Sequence, residues 1–239
     1  MKKTFFSLLL LAGLASTSIA QKTINDANAE KRTVGSFHGV EVATGIHLTL
    51  TKGATEEVAV SASEKEFRDK IVTEVVNGVL KIHYETKSGA INRKNENKKL
   101  KAYVSYTSLD LLYATTGAEV DIDGILEATT LEMKANTGGQ VKGEINIGTL
   151  NVDQNTGSKI TFTGKVDILD AQGDTGSKFQ GENLTTNTCV VEMSTGAGIY
   201  ISVEKELNVK ANTGGYIKYK GNAGIREIRT NTGGTVSRI

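Results

Sequence analysis

The chain has 239 residues, 38% of them apolar and 23% charged, a globular composition that excludes intrinsic disorder. Removing residues 1–20, read below as a leader, leaves 26 Lys and Arg (28 less Lys2 and Lys3) against 27 Asp and Glu, a balance that gives no strong field toward nucleic acid or anionic lipid. There are 26 Gly but no Pro and no Trp, and a lone Cys189 excludes an internal disulfide, so the fold must rest on a packed core and a backbone ladder.

Met1-Lys2-Lys3, an apolar run from Phe5 to Ala15 and the small-residue site Ser18-Ile19-Ala20 read as a secretory signal peptide over residues 1–20, cleaved between Ala20 and Gln21. Gly13, Ser16, Thr17 and Ser18 interrupt the run, which falls short of the ~20 apolar residues of a bilayer span. The exported chain is therefore expected to span no membrane and to work in the periplasm or at the cell surface. Residues 21–31 read as a flexible arm, 32–108 as the N-terminal part of one domain, and 109–239 as the repetitive part of the same domain.

Within 32–108, Val40 to Leu48 alternates around Thr44-Gly45 and reads as a degenerate coil. Ser63 with Glu66 makes a capping-box pattern, and Phe67 and Ile71 lie four apart, which predicts a helix of two turns near 64–72. Asn77-Gly78 between Val75-Val76 and Val79-Leu80 predicts a hairpin. Lys87 to Lys99 reads as a basic solvated loop, and Lys101 to Thr107 as a strand.

From residue 109 onward, Thr-Gly followed by a tiny residue recurs with glycines at 117, 138, 157, 176, 196, 214 and 233, in steps of 21, 19, 19, 20, 18 and 19. Three residues after each glycine stand Val120, Val141, Ile160, Phe179, Ile199, Ile217 and Val236; five before stand Leu112, Met133, Val152, Ala171, Val191, Val209 and Ile228. Two apolar columns flanking a corner describe a unit that buries its face only by stacking on its neighbours. The expected fold is all-β, a right-handed parallel β-helix (β-solenoid) with Thr-Gly corners about every 19 residues. Proline would remove a ladder donor from every coil, which accounts for its absence. The residue two before each glycine (Thr115, Asn136, Asn155, Asp174, Ser194, Asn212, Asn231) is short and polar, and a ladder that satisfies the corner accounts for it more simply than a ligand stripe. A solenoid end that templates further pairing predicts self-association through the C-terminal rung, or a partner there.

Little here points to reaction chemistry. His38, His47 and His83 have no metal-ligand spacing, and Cys189 beside Val190-Val191 reads as a buried small hydrophobe. Glu119 to Gly124 imitates part of a calcium loop but has Thr130 where the bidentate glutamate belongs. Asp153, Asp167, Asp170 and Asp174, the best glycosidase-like candidates, occupy different repeat positions. No catalytic, cofactor or metal residues are assigned.

The order of Arg32-Thr33-Val34 with Phe37, Val40-Glu41-Val42, Gly45-Ile46, Asn77-Gly78-Val79-Leu80-Lys81-Ile82, the small-residue corners and Tyr219-Lys220-Gly221-Asn222 resembles the auto-transporter adhesin, head GIN domain family over residues 32–239. That resemblance implies exported cell-envelope proteins of Bacteroidetes-type bacteria with a right-handed β-helix, and no catalytic residues. The expected function is a non-enzymatic, adhesin-like module for a glycan or an envelope or surface protein, with a purely structural envelope protein or a polysaccharide-active enzyme as alternatives. Its candidate surface is the variable position two after each glycine, with Lys159, Lys178 and Tyr216, and with nearby Tyr219 offered as a second sugar-stacking ring.

Overall fold

The computed structural model describes residues 26–85 and 97–239. The leader with Ala20 and Gln21, the arm as far as residue 25 and positions 87–96 of the basic loop lie outside the described residues. In chain order the elements are β1 (Glu30–Arg32), β2 (Gly39–Val42), β3 (His47–Lys52), β4 (Glu57–Ser61), the helical turn α1 (Lys65–Arg68), β5 (Ile71–Val76), β6 (Val79–Tyr84), β7 (Lys101–Tyr106) and β8 (Leu111–Ala114). Long bent strands β9 (Glu119–Ala135), β10 (Gln140–Gln154), β11 (Lys159–Gly173), β12 (Lys178–Met193) and β13 (Gly198–Ala211) follow, and then β14 (Tyr216–Lys220), β15 (Gly224–Thr230) and β16 (Thr235–Arg238).

The long strands stack in parallel, each on the next, so the sequence repeat is a solenoid coil. β14 and β15 cover the two halves of β13, and β16 covers β14. Unequal repeat lengths are absorbed away from the corners. The longest step inserts residues of β9 between the partners of Lys142 and Glu144, and the later irregularities fall between Thr161 and Gly164, between Gly181 and Thr188, and at Leu207–Asn208 against β15. A bulge takes up an extra residue locally, which leaves the corner and its flanking columns in register.

Alternation along each strand sends every second side chain inward. One inward column runs Val120, Val141, Ile160, Phe179, Ile199, Ile217, and another runs Leu131, Leu150, Leu169, Cys189, Leu207. All are buried. Cys189 thus stands in a leucine column; beside it the Thr186 hydroxyl, 2.9 Å from its sulfur, donates to the Ser202 carbonyl at 2.6 Å. Burial pushes the Cys189 thiol up to about 12 against the smaller opposite effect of the Thr186 hydrogen bond, so it is an unreactive core residue.

At each corner both central residues are left-handed: Thr116, Thr137, Thr156, Thr175, Thr195, Thr213 and Thr232 have φ between 44° and 51°, and the following glycines lie near 70°. Thr44-Gly45 adopts the same turn at φ 58° and 69°, and the Gly45 N–H donates to the Thr116 carbonyl at 3.0 Å, so the first coil joins the stack. Such paired values define a type I′ turn, closed by the tiny residue's N–H on the short polar residue's carbonyl, as from Gly139 to Asn136 at 2.8 Å. Each corner's glycine N–H donates to the threonine carbonyl of the next coil, at 3.0–3.1 Å. Glycine in this region follows expectation; threonine, β-branched and disfavoured there, does not. The Asn136 and Asn155 side chains accept from the N–H of the threonine that follows, both at 2.7 Å, and tie the strained residue down.

Residues 53–85 and 97–110 leave the coil path and cover its N-terminal end. β6 joins β2 in parallel and closes with β5 into the expected hairpin, whose Asn77 and Gly78 have φ 52° and 77°. β7 joins β3 in parallel, and β4 then β1 add antiparallel to it. Two local expectations change. Glu30 and Lys31, at the end of the proposed arm, are in β1, which pairs antiparallel with β4, and the Glu30 carboxylate is also held by Arg32 (2.9 Å) and Arg68 (2.8 Å). The helix is one turn instead of two and its N-cap, Glu64, makes no side-chain cap bond. Ser63 lies in a bend before the helix, its N–H on the Lys98 carbonyl at 2.8 Å, and the Lys70 carbonyl already serves the Glu85 N–H beside β5, which halts the helix. At the other end the last coil leaves Ile225 (49%) and Ile228 (43%) exposed.

Candidate binding face

The position two after each corner glycine is one continuous outward column: Glu119, Gln140, Lys159, Lys178, Gly198, Tyr216, Thr235 are successive register partners, with His47 ahead of them. Two residues further along each strand, Asp121, Lys142, Thr161, Gln180, Tyr200, Lys218, Ser237 form a second, parallel column. Strand alternation puts both on one face, and the stacking brings rungs within ~4.8 Å of one another. Lys159 and Lys178 are therefore adjacent, and both are exposed.

Tyr216 is half-buried and Tyr219 is not on this face at all: it is 8% exposed and belongs to the core. Three residues apart in one strand means opposite sides, so the assignment of Tyr219 to a ligand surface is corrected. Tyr200 takes its place. Its ring meets Tyr216 edge to face, with centroids 6.0 Å apart at 77°, and the Lys218 ammonium sits 5.2 Å from its centre. The phenol end of Tyr216 fills the space above Gly198, where an added Cβ would lie 1.9 Å from the ring. The sequence signal for Tyr200 was its place in the column two residues beyond the corner-proximal one.

At the N-terminal end of the face His47 lies 3.4 Å from Glu119 and 3.3 Å from Asp121, and Lys142 is 3.1 Å from Asp121. The calcium-loop imitation is thus strand β9, with Glu119 and Asp121 engaged by imidazole or ammonium groups. A depression of about 80 Å³ lies among Glu119, Asp121, Gln140, Lys142, Lys159 and Thr161. Enclosed small-molecule sites measure ~300–1,000 Å³, so this depression is too small to enclose such a molecule and a larger ligand would lie along the surface. Of the candidate acids, Asp170 faces Asn151 and Asp153 faces Gln172 on the opposite side of the coil, and Asp167 accepts from Asn187 at 2.9 Å. Asp174 sits at a corner, held below the usual carboxylate range chiefly by the Thr195 hydroxyl on the adjacent corner and also by the Thr175 N–H. Asp167 and Asp174 thus accept structural hydrogen bonds, and the four acids occupy separate positions.

A family model described as "Putative auto-transporter adhesin, head GIN domain" matches residues 36–223, most of the chain. The chain belongs to this family. Similar coils occur in a solved "putative adhesin" from Bacteroides fragilis NCTC 9343, 17% identical, with 88% of this chain and 96% of that chain covered and a TM-score of 0.78. A "putative adhesin" from Parabacteroides merdae ATCC 43184 is 13% identical, with 88% and 95% covered and a TM-score of 0.66. A "putative lipid binding protein" from Parabacteroides distasonis ATCC 8503 is 16% identical, with 90% and 98% covered and a TM-score of 0.66. At these identities the likeness is one of fold. No curated protein sequence matches the chain. Among the described residues of this head GIN domain, no helix is long and apolar enough to cross a membrane.

Proposed function

We propose that this head GIN domain is an exported, non-enzymatic binding module of the cell envelope that holds a glycan along its two-column face. The observation that carries the reading is the Tyr200–Tyr216 pair: two rings edge to face on an open, regular strand surface, each only half-buried, with the Lys218 ammonium beside Tyr200. A half-exposed aromatic ring offers an apolar plate to the C–H face of a sugar while the neighbouring polar groups take its hydroxyls. The family's adhesin description and the expected leader support an envelope location.

The test is binding of purified residues 21–239 to a glycan panel, with Tyr200→Leu and Tyr216→Leu as variants. Leucine at 216 stays apolar but lacks the ring end that lies over Gly198, so thermal unfolding is measured beside binding to separate loss of the ring from loss of the coil. Loss of glycan binding with unchanged thermal unfolding is the expected result. No glycan bound by the parent chain would leave the structural envelope role, and turnover of any glycan would overturn the non-enzymatic reading. Location is tested by protease on intact producing cells, with a periplasmic control protein: degradation means surface display, and protection means the periplasm. The reading includes self-association through the last coil, on the exposure of Ile225 and Ile228, and a strictly monomeric species at high concentration in sedimentation would overturn that part.

A further inference from the structure

The near-neutral total charge hides a sorting of charge by face. From the coil of Gln140 onward, the two columns of the candidate face carry Lys142, Lys159, Lys178 and Lys218 and no carboxylate. On the return side of the same coils the outward columns carry Asp153, Asp170, Glu192, Glu206 and Glu227 against Lys210 and Arg229, with Arg226 beside them at the irregularity of β15. That acidic side is internally compensated: Lys210 lies 2.7 Å from Glu192, Arg226 3.0 Å from Glu206, and Arg229 is hydrogen-bonded to Glu227. Lys159 and Lys178 have no such relief. They are direct cross-strand partners, and among the described residues neither makes an ion pair. Like charges directly opposite each other destabilise a sheet, so folding does not account for the pair. A ligand that brings negative charge does.

We infer that the glycan held on this face is acidic, with carboxylate or sulfate groups read by Lys159 and Lys178 while sugar rings lie on Tyr200 and Tyr216. The inference rests on the glycan-binding reading above and names its ligand class. The geometry favours a linear chain running along the solenoid axis: Lys159, Lys178 and the tyrosines lie in two adjacent columns on consecutive rungs, Lys178 pairs with Gly198 and Gly198 with Tyr216, so the strip is narrow, with the lysine pair toward one end and the rings, with Lys218 beside Tyr200, toward the other. A lipid surface would need a broad patch, and this one is bounded by the corners on one side. Surface charges of this kind add modest affinity each and are screened by salt.

The experiment is calorimetric titration of residues 21–239 with oligogalacturonate (carboxylate), heparin (sulfate), fully methyl-esterified oligogalacturonate (neutral), phosphatidylglycerol vesicles and single-stranded DNA. Binding of either acidic glycan, weakened by added salt and about tenfold by Lys159→Gln with Lys178→Gln, is the expected result. Lys134→Gln with Lys210→Gln, on the acidic side, leaves it unchanged. Which acidic glycan binds identifies the anion. Equal binding of the neutral ester, insensitive to salt and to Lys159→Gln with Lys178→Gln but lost in Tyr216→Leu, would overturn the acidic class and keep the glycan reading. Lysine-dependent binding of vesicles or DNA alone, or no binding of any probe, would overturn both.

Discussion

Left-handed threonine at every corner is the least expected feature of the fold, and Thr156 tests its meaning. Its φ is 47°, its N–H donates to Asn155 Oδ1 at 2.7 Å and its hydroxyl donates to the same oxygen at 3.2 Å. An L-residue in this region costs roughly 1–2 kcal/mol, and asparagine, unbranched at Cβ, bears it better than threonine. Thr156→Asn keeps the backbone bond to Asn155 and gives up only an exposed hydroxyl contact of about 0.5 kcal/mol. The expected outcome is a gain of about 1 kcal/mol in urea unfolding, seen as a higher midpoint at unchanged slope. Thr156→Val keeps the strain and loses the hydroxyl, so it should lose about 0.5 kcal/mol. If Thr156→Asn lost 0.5 kcal/mol or more, the threonines would be supplying stability through their stacking, and the strain argument would be wrong.

The leucine column makes a plainer claim: Leu169→Ala, at a fully buried position, should cost about 2–5 kcal/mol in the same assay, whereas Ile168→Thr next to it, 48% exposed, should stay within about 0.5 kcal/mol. Equal effects would mean the inward register is misassigned. His38 Nδ1 lies 2.6 Å from Asp110 Oδ1, and that hydrogen bond, with the carboxylate's charge, raises the imidazole above its ordinary 6.5. Its contribution to stability is full below the unfolded value and is lost as pH rises through the raised folded value. NMR titration should find His38 above 6.5 and Asp110→Asn should return it toward that value; an unmoved His38 would refute the pairing. Cys189 should resist a thiol-specific disulfide reagent in the native state and label only at the rate of unfolding, and rapid native labelling would contradict its burial.

The repeat was legible because only a few residue types suit a turn that needs positive φ beside a closely stacked backbone. Gly139 shows the second constraint: a Cβ there would lie 2.2 Å from the Ala114 carbonyl oxygen, and where a Cβ is present at the same corner position, as at Ala118 and Ser177, the side chain is fully buried, so only tiny residues fit. That the threonines themselves would be left-handed was not legible, since local propensity argues against it and the stack imposes it. The helix at Lys65–Arg68 was over-read because the capping pattern is local, whereas the Ser63 N–H is claimed by Lys98, far along the chain. The candidate face was half legible. Its first column followed from the repeat alignment, but Tyr219 was placed by nearness in sequence instead of strand parity, and Tyr200 was missed for the same reason. Charge sorting was invisible in composition because opposite faces cancel in the sum, and it emerges only when outward columns are compared separately.

The central claim is that ligand lies on the corner-flanking face and leaves the return face free. Lysine-acetylation footprinting of residues 21–239, with and without heparin or oligogalacturonate, tests it directly. The account predicts protection of Lys159 and Lys178 with Lys134 and Lys210 unchanged. Protection of Lys134 and Lys210, or no protection with either glycan, would contradict it.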